Sequence, residues 1–275
     1  MSRAMLSISR LNLWLGGAAA LALAVVVILG ANPFAQDPFT VDLALRLGKP
    51  SMQHWFGTDE FGRDILARTA HGALISSGIA LSTVLLATAV GGAIGVVAGF
   101  LRGWADRAWM ILIDALLAFP GILLALALVA VFGASRWGII GALTLAYIPI
   151  VARVVRGATL SLREKEFIEA ARVSGDDAVT IMLRHVVPNL AGPVLVLMTS
   201  MFGWVLLSES ALSFLGVGIS PPAPTWGNML AAARPHLDVA PHLAIVPGLC
   251  ITAAVLAVNL LGDALRDYLD PRSRL

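Results

Sequence analysis

Residues 74–100 read LISSGIALSTVLLATAVGGAIGVVAGF, without a single charged side chain. A helix needs roughly 20 apolar residues to cross about 30 Å of hydrocarbon, so this stretch predicts a transmembrane helix. The whole chain fits that setting, because 58% of its 275 residues are hydrophobic and only 13% are charged, with a mean hydropathy of +0.86. A soluble domain usually carries about 25% charged residues. The sequence therefore predicts an all-α integral membrane protein.

Other stretches are also apolar enough to span the bilayer, which makes six predicted transmembrane helices. The predicted spans are approximately 11–30, 74–100, 109–132, 138–157, 191–212 and 243–261. The alternative for the first span is a cleaved signal peptide. Its apolar run is longer than the usual run of about 7–15 residues, which favours a retained helix.

The placement of Lys and Arg predicts how the chain is oriented. With a cytoplasmic N-terminus, 13 of the 19 Lys and Arg residues fall on the cytoplasmic side, as the positive-inside rule expects. We therefore expect a multi-pass membrane protein with both termini in the cytoplasm. The predicted organisation is an N-terminal tail with the first helix (1–30), an extracytoplasmic segment (31–73), a transmembrane domain (74–262) and a cytoplasmic tail (263–275).

Two carboxylates fall inside predicted spans. Asp114 and Glu209 would each cost about 2.5–3.5 kcal/mol at the bilayer centre, so such groups face protein or water. Both are candidates for lining a pathway or contacting another subunit, and for Asp114 a structural hydrogen bond is the equal alternative. Gly91, Gly95 and Gly99 lie four residues apart on one helix face, which predicts close helix packing within the chain.

Enzymatic and metal-binding functions find no support in the motifs. The sequence contains no H-E-x-x-H, no G-x-S-x-G and no phosphate-binding G-x-x-x-x-G-K-[ST]. Its one cysteine, Cys250, lies in an apolar run. The formal net charge of +2 does not indicate nucleic-acid binding. We expect no catalytic residue, no metal site and no cofactor in this chain, so any drive from ATP would come from another subunit.

The loop before the fifth predicted span is patterned. Residues 161–174 predict one helix, with Gly175 as its left-handed terminator. Asp176 or Asp177 would cap a second helix that Pro188 ends. A helix–glycine–helix element outside the membrane suits a groove of another protein, and a hairpin lying on lipid headgroups is the alternative.

This loop carries a family resemblance. Glu169-Ala170-Ala171, Gly175 and the later His185-Val-Val-Pro188-Asn189 resemble the EAA loop of ABC importer permeases. In that family the loop forms the coupling helix that docks on the cytoplasmic ATPase. The resemblance implies a coupling role for Glu169, Ala170, Ala171, Gly175, Asp176, Ile181, His185 and Pro188.

Two flanking blocks narrow the resemblance. Residues 56–64 (FGTDEFGRD), and residues 212–227 followed by 259–271, are similar to the dipeptide, oligopeptide and nickel permeases, in the second of their two permease subunits. The resemblance implies the type I importer fold, a second permease subunit, two cytoplasmic ATPases that hold ATP and magnesium, and an extracytoplasmic substrate-binding protein. It implies di- or oligopeptides as substrates, with nickel chelates, glutathione or opine-like compounds as alternatives.

Two further expectations concern the extracytoplasmic side and the transport class. Trp226 follows a proline-rich loop and is expected to anchor that loop at the membrane interface, with a contact to the binding protein as the alternative. An ion-coupled secondary transporter that uses Asp114 and Glu209 is the rival class. Such a transporter would leave the patterned loop unexplained.

Overall fold

The computed structural model describes residues 14–22, 24–25, 28 and 37–269. The part of the first predicted span that falls among them is helical, and the rest of residues 11–30 lies outside the described residues. A Cβ atom on Gly16 would lie 2.8 Å from the Cβ of Leu260. The N-terminal helical residues therefore contact the last helix of the chain.

Beyond residue 37 the described chain is built from helices, and it contains no β-strand. The helices are α1 (Ile65–Leu101), α2 (Gly103–Leu117), α3 (Gly121–Phe132), α4 (Arg136–Arg163), α5 (Glu166–Val173), α6 (Ala178–Phe214), α7 (Trp226–Ala233) and α8 (His242–Leu269). Among the described residues four helices are long and apolar enough to cross a membrane: α1, α4, α6 and α8. Helices α2 and α3 together would add a fifth span, bent by 93° at their junction.

Two predicted boundaries need correction. The span predicted at 109–132 is not one helix, because Pro120 has no amide hydrogen and disfavours helical geometry in Phe119, so the chain breaks between α2 and α3. Helix α1 begins at Ile65, nine residues before its predicted start. Asp64 caps it there by accepting a hydrogen bond from the Ala67 amide at 2.8 Å.

Helices α1 and α4 lie parallel and in direct backbone contact. Cβ atoms on Gly91, Gly95 and Gly99 would lie 2.7–2.9 Å from the carbonyl oxygens of Ile148, Ala152 and Arg156, respectively. The three glycines thus allow two backbones to approach without intervening side chains. The predicted close packing within the chain is confirmed at these positions.

Helix α6 returns antiparallel to α1, and α8 runs antiparallel to α6. The bundle therefore has two ends. The Trp226 end comprises residues 37–64 and 216–241, and the Gly175 end comprises residue 102 and residues 164–177. The contact between Gly16 and Leu260 lies toward the Gly175 end. The first described residues and the last helix thus meet on the same side as the patterned loop.

Candidate coupling loop and buried polar sites

The loop at the Gly175 end contains two helices joined by a glycine turn. Helix α5 ends with Gly175 at φ +93°, a conformation that residues with a Cβ rarely adopt. The Asp176 amide donates to the Ala171 carbonyl at 3.1 Å, which satisfies one of the last carbonyls of α5. Asp177 caps α6 by accepting from the Thr180 amide at 3.3 Å. The predicted glycine terminator and aspartate cap are confirmed.

The start and end of the loop differ from the prediction. Residues 161–163 belong to the end of α4, and α5 begins only at Glu166, so the single helix predicted over 161–174 is wrong. The second helix also does not end at Pro188. The backbone forms a π-helical turn at Met182–Val186. In this turn the Val187 amide donates to the Met182 carbonyl, five residues back instead of four. The chain then continues as one helix to Phe214.

Helix α5 turns part of the EAA sequence outward. Ile168 and Ala171 are buried against the bundle, whereas Glu169 and Ala170 are exposed. Gly175 is exposed as well. A carboxylate beside a small side chain therefore forms the outer face of α5, where another protein can reach both.

The second half of the loop turns partly inward. Ile181 is buried at 1% exposure, so it packs in the core rather than on a docking surface. His185 is half-buried, and its Nε2 atom lies 3.6 Å from the Asp176 carboxylate. The Asn189 side chain donates to the His185 carbonyl at 2.7 Å, next to exposed Pro188. Ile181, like Ala171 on α5, therefore packs inside the loop and not on its outer face.

Phe100, near the end of α1, contacts the loop. Its ring is 5% exposed and lies under two guanidinium groups, 5.8 Å from Arg163 and 5.5 Å from Arg172. Such cation–π contacts hold a charge over a ring face. Since Arg172 lies on α5, this contact attaches α5 to the end of α1. The sequence reading missed Phe100, because its spacing from Arg172 carries no pattern.

Asp114 accepts a hydrogen bond from Arg153, across the groove between α2 and α4. Both side chains remain more than half exposed, at 60% and 56%. The neighbouring Asp106–Arg156 pair is bidentate, with nitrogen–oxygen distances of 2.6 and 2.7 Å. Asp114 therefore makes the structural hydrogen bond that was one of the two expectations for it, while its carboxylate stays exposed.

Glu209 occupies a different environment from Asp114. It is fully buried, and its carboxyl accepts hydrogen bonds from Ser213 at 3.0 Å and Ser76 at 3.4 Å. The Ser76 hydroxyl in turn accepts from the Trp226 amide at 3.1 Å. In this structure Glu209 therefore reaches neither an open path nor the surface of the chain. Its carboxyl joins α1, α6 and α7 inside the chain.

Trp226 is buried in protein and does not reach a membrane interface. Its exposure is 0%, and its indole nitrogen donates to the Thr69 carbonyl at 3.0 Å. The expected interfacial anchor is therefore wrong. Trp226 attaches the proline-rich loop to α1 instead.

The block at 56–64 is a folded turn whose role the sequence left open. Asp59 accepts from the Arg63 guanidinium at 2.7 Å and lies 3.3 Å from that of Arg68. A Cβ atom on Gly62 would lie only 1.7 Å from the Asp42 carbonyl, so only glycine fits. Asp64, besides capping α1, contacts His54 at 3.0 Å. The block thus orders the start of α1.

Comparison with known proteins identifies the chain. Residues 91–275 match the family described as binding-protein-dependent transport system inner membrane component. The chain belongs to this family. It is 48% identical over 223 residues to the glutathione transport system permease protein GsiD of Escherichia coli O1:K1, covering 81% of this chain and 74% of the relative. The corresponding GsiD of Pectobacterium atrosepticum is 45% identical over the same coverage.

A solved structure shares the fold. The MetNI methionine ABC transporter, in an inward-facing conformation, matches with a TM-score of 0.62 at 17% identity, covering 74% of this chain and 96% of that one. The permease thus has the type I importer fold, and it is an ABC importer permease of the peptide and oligopeptide subfamily. It is a multi-pass inner-membrane protein, and its family implies a partner permease, ATPases and a substrate-binding protein.

Proposed function

We propose that this permease is one of two permease subunits in an ATP-driven importer of peptide-like solutes, di- or oligopeptides or glutathione. Two relatives that are 45–48% identical carry names that assign them to glutathione transport, and glutathione is itself a small peptide. Nickel chelates and opine-like solutes are the alternatives within the same machinery. ATP and magnesium would bind to two partner ATPases, and this chain would carry no cofactor and no catalytic group.

The coupling role rests on the exposed loop at the Gly175 end. Around exposed Glu169 and Ala170, apolar side chains also reach the surface: Val173 is 85% exposed and Val179 55%. Exposed apolar side chains beside charged ones are typical of a protein interface. We expect the ATPase to bind here in preference to a lipid surface, because the phosphates of lipid headgroups carry the same negative charge as the Glu169 carboxylate.

Phe100 would transmit a movement of the ATPase interface to α1. A movement of α5 would carry Arg172 with it, and the guanidinium lies 5.5 Å from the Phe100 ring centre at the end of α1. Helix α1 is 37 residues long, about 55 Å at about 1.5 Å per residue, and it reaches the Trp226 end. Closure of the ATPases would therefore move a helix that crosses the whole bundle.

The proposed orientation of the chain in the membrane follows from the placement of Lys and Arg. The Gly175 end would be cytoplasmic, together with both termini, and the Trp226 end would face the binding protein. The predicted excess of Lys and Arg on the cytoplasmic side supports this orientation. The contact between Gly16 and Leu260 agrees with both termini on one side.

Replacement of the turn glycine tests the coupling role. Gly175→Val should leave the transporter in the membrane but abolish the stimulation of ATP hydrolysis by loaded binding protein, together with uptake. Gly133→Val is the matched control, since Gly133 also has positive φ (+86°) and open space around it but lies in the α3–α4 connection. Normal stimulated uptake by Gly175→Val would contradict the docking role.

A further inference from the structure

The Asp114–Arg153 pair is exposed on the side of the bundle, at a distance from the Gly175 end. Asp114 is eleven residues from the start of α2, and Arg153 is ten residues before the end of α4. At about 1.5 Å per residue, both lie about 15 Å from the Gly175 end. The hydrocarbon layer is about 30 Å thick, and α4 with 28 residues exceeds it by only about 12 Å. The pair therefore falls within the membrane.

Lipid cannot cover this pair at low cost. Each side chain is more than half exposed, and charged side chains at such depth face protein or water. The pair also continues a row of ion pairs between the two helices. From the Gly175 end inward the row is Arg102–Glu164, Asp106–Arg156 and Asp114–Arg153. A charged strip thus runs along the surface of the bundle from the Gly175 end toward its middle.

The surface of α4 around this strip is small and polar. Gly157 and Ser161 follow Arg153 at intervals of four residues and are exposed on the same helix face. A Cβ atom on Gly157 would meet no other atom within 4 Å. The face therefore leaves room beside the guanidinium, where a solute can approach.

We propose that Asp114 and Arg153 line the translocation path and exchange partners with a zwitterionic solute. Arg153 then binds a solute carboxylate while Asp114 binds its ammonium group, so two solute–protein pairs replace one internal pair. Charge is conserved in the exchange, because every ion in the path keeps an opposite partner. An uncharged solute gains nothing by opening the pair. The solute class rests on the proposed function, whereas the aqueous path rests on the depth and exposure of the pair.

Thiol labelling tests whether the face is aqueous. The assembled transporter in vesicles would carry Cys250→Ala, which removes the one cysteine of this chain, together with Gly157→Cys, which keeps the ion pair intact. A charged, membrane-impermeant thiosulfonate should label residue 157, and S-methylglutathione, which has no free thiol, should slow labelling about tenfold, as expected for one charge-assisted contact. Leu112→Cys is the control, because Leu112 is 51% exposed on the opposite side of α2 and should stay unlabelled.

The labelling results distinguish a failure of the proposed path from a failure of the proposed solute class. No labelling at residue 157 means that a partner subunit covers the face, which overturns the proposal. Equal labelling at residues 157 and 112 overturns it as well. If the wild-type transporter takes up neither S-methylglutathione nor a dipeptide, the proposed solute class fails, while the labelling of residue 157 without solute still decides whether the path exists.

Uptake by charge variants tests the exchange itself. Arg153→Gln should lower uptake of S-methylglutathione about tenfold through a raised KM. Arg153→Lys, which keeps the charge, should restore most of the uptake and shows that the variants fold. Unchanged KM in Arg153→Gln would overturn the role of Arg153, and a loss of the same size in Arg153→Lys would assign it to structure alone.

Discussion

The two ends of α1 are held in different ways. At the Trp226 end, Ser76 joins the Trp226 amide to the buried Glu209 carboxyl, and no member of this group is open to solvent. At the Gly175 end, Phe100 lies under Arg163 and Arg172, and the surrounding helices carry exposed charges and exposed valines. The group around Glu209 is closed within the chain. The group around Phe100 adjoins exposed side chains that suit a partner.

This difference bears on how a permease can be both stable and mobile. Buried hydrogen-bonded groups are costly to separate, so the Trp226 end should move as one body. Exposed ion pairs contribute little free energy of unfolding and are readily exchanged for other partners. We therefore expect substitutions at the Trp226 end to lower stability and substitutions at the Gly175 end to change coupling.

The largest effect should come from Trp226→Ala. Removing a fully buried tryptophan should lower the free energy of unfolding by about 3–5 kcal/mol, because a large cavity is left between α1 and α6. Thermal unfolding of the purified chain in detergent measures it. The matched control is Trp104→Ala at the Gly175 end, where the side chain is 83% exposed and the change should be small. Equal losses in both variants would remove the contrast between the ends.

Glu209→Leu should have the next largest effect. The substitution leaves the hydroxyls of Ser76 and Ser213 without their acceptor, which costs about 1–3 kcal/mol of unfolding free energy. Glu209→Gln keeps an oxygen acceptor at the site and should lose less. The same unfolding measurement compares the two variants. Wild-type stability in Glu209→Leu would show that the buried carboxyl is not a tie between helices.

Two faces of α1 differ in the same way, because the Gly95 face is packed against α4 whereas the Gly92 face is open. Gly95→Ala would place a methyl group 2.7 Å from the Ala152 carbonyl and should cost about 1–2 kcal/mol by overpacking. Gly92→Ala, three residues earlier, meets nothing within 4 Å and should be neutral or slightly stabilising, since alanine favours helix. Unfolding of both variants decides it. A loss at Gly92 equal to that at Gly95 would contradict the packing of α1 on α4.

The smallest effect concerns pH at the Gly175 end. Hydrogen bonds from Thr180, its side chain first and its backbone amide next, hold the pKa of exposed Asp177 below its usual value. A lowered folded-state pKa means that the cap stabilises α6 above the ordinary Asp pKa and loses this contribution as pH falls through the lowered value. Hydrogen exchange at the Thr180 amide, corrected for intrinsic rates, should show protection falling there. Asp177→Asn should lack this pH dependence.

Local patterns predicted much of the fold and part of the loop. The uncharged run at 74–100, the glycine spacing in α1, the Gly175 turn and the Asp177 cap each depend on a few neighbouring residues, and each is found. The break at Pro120 and the π-helical turn before Pro188 were missed. A proline limits the backbone locally, but whether the helix stops or continues depends on the contacts around it. At Pro188 the helix continues, and the Asn189 side chain donates to the His185 carbonyl.

The sequence by itself determined that the chain is a membrane protein, where its apolar helices lie and which loop resembles a coupling element, because hydropathy and turn chemistry are properties of adjacent residues. Only the tertiary structure decided the fate of the polar side chains. Glu209 and Asp114 look alike as carboxylates within apolar runs, yet one is enclosed by α1, α6 and α7 and the other remains open beside Arg153. The reason is that burial depends on residues more than a hundred positions away in the chain, such as Ser76 for Glu209. A pattern of neighbouring residues does not include such partners.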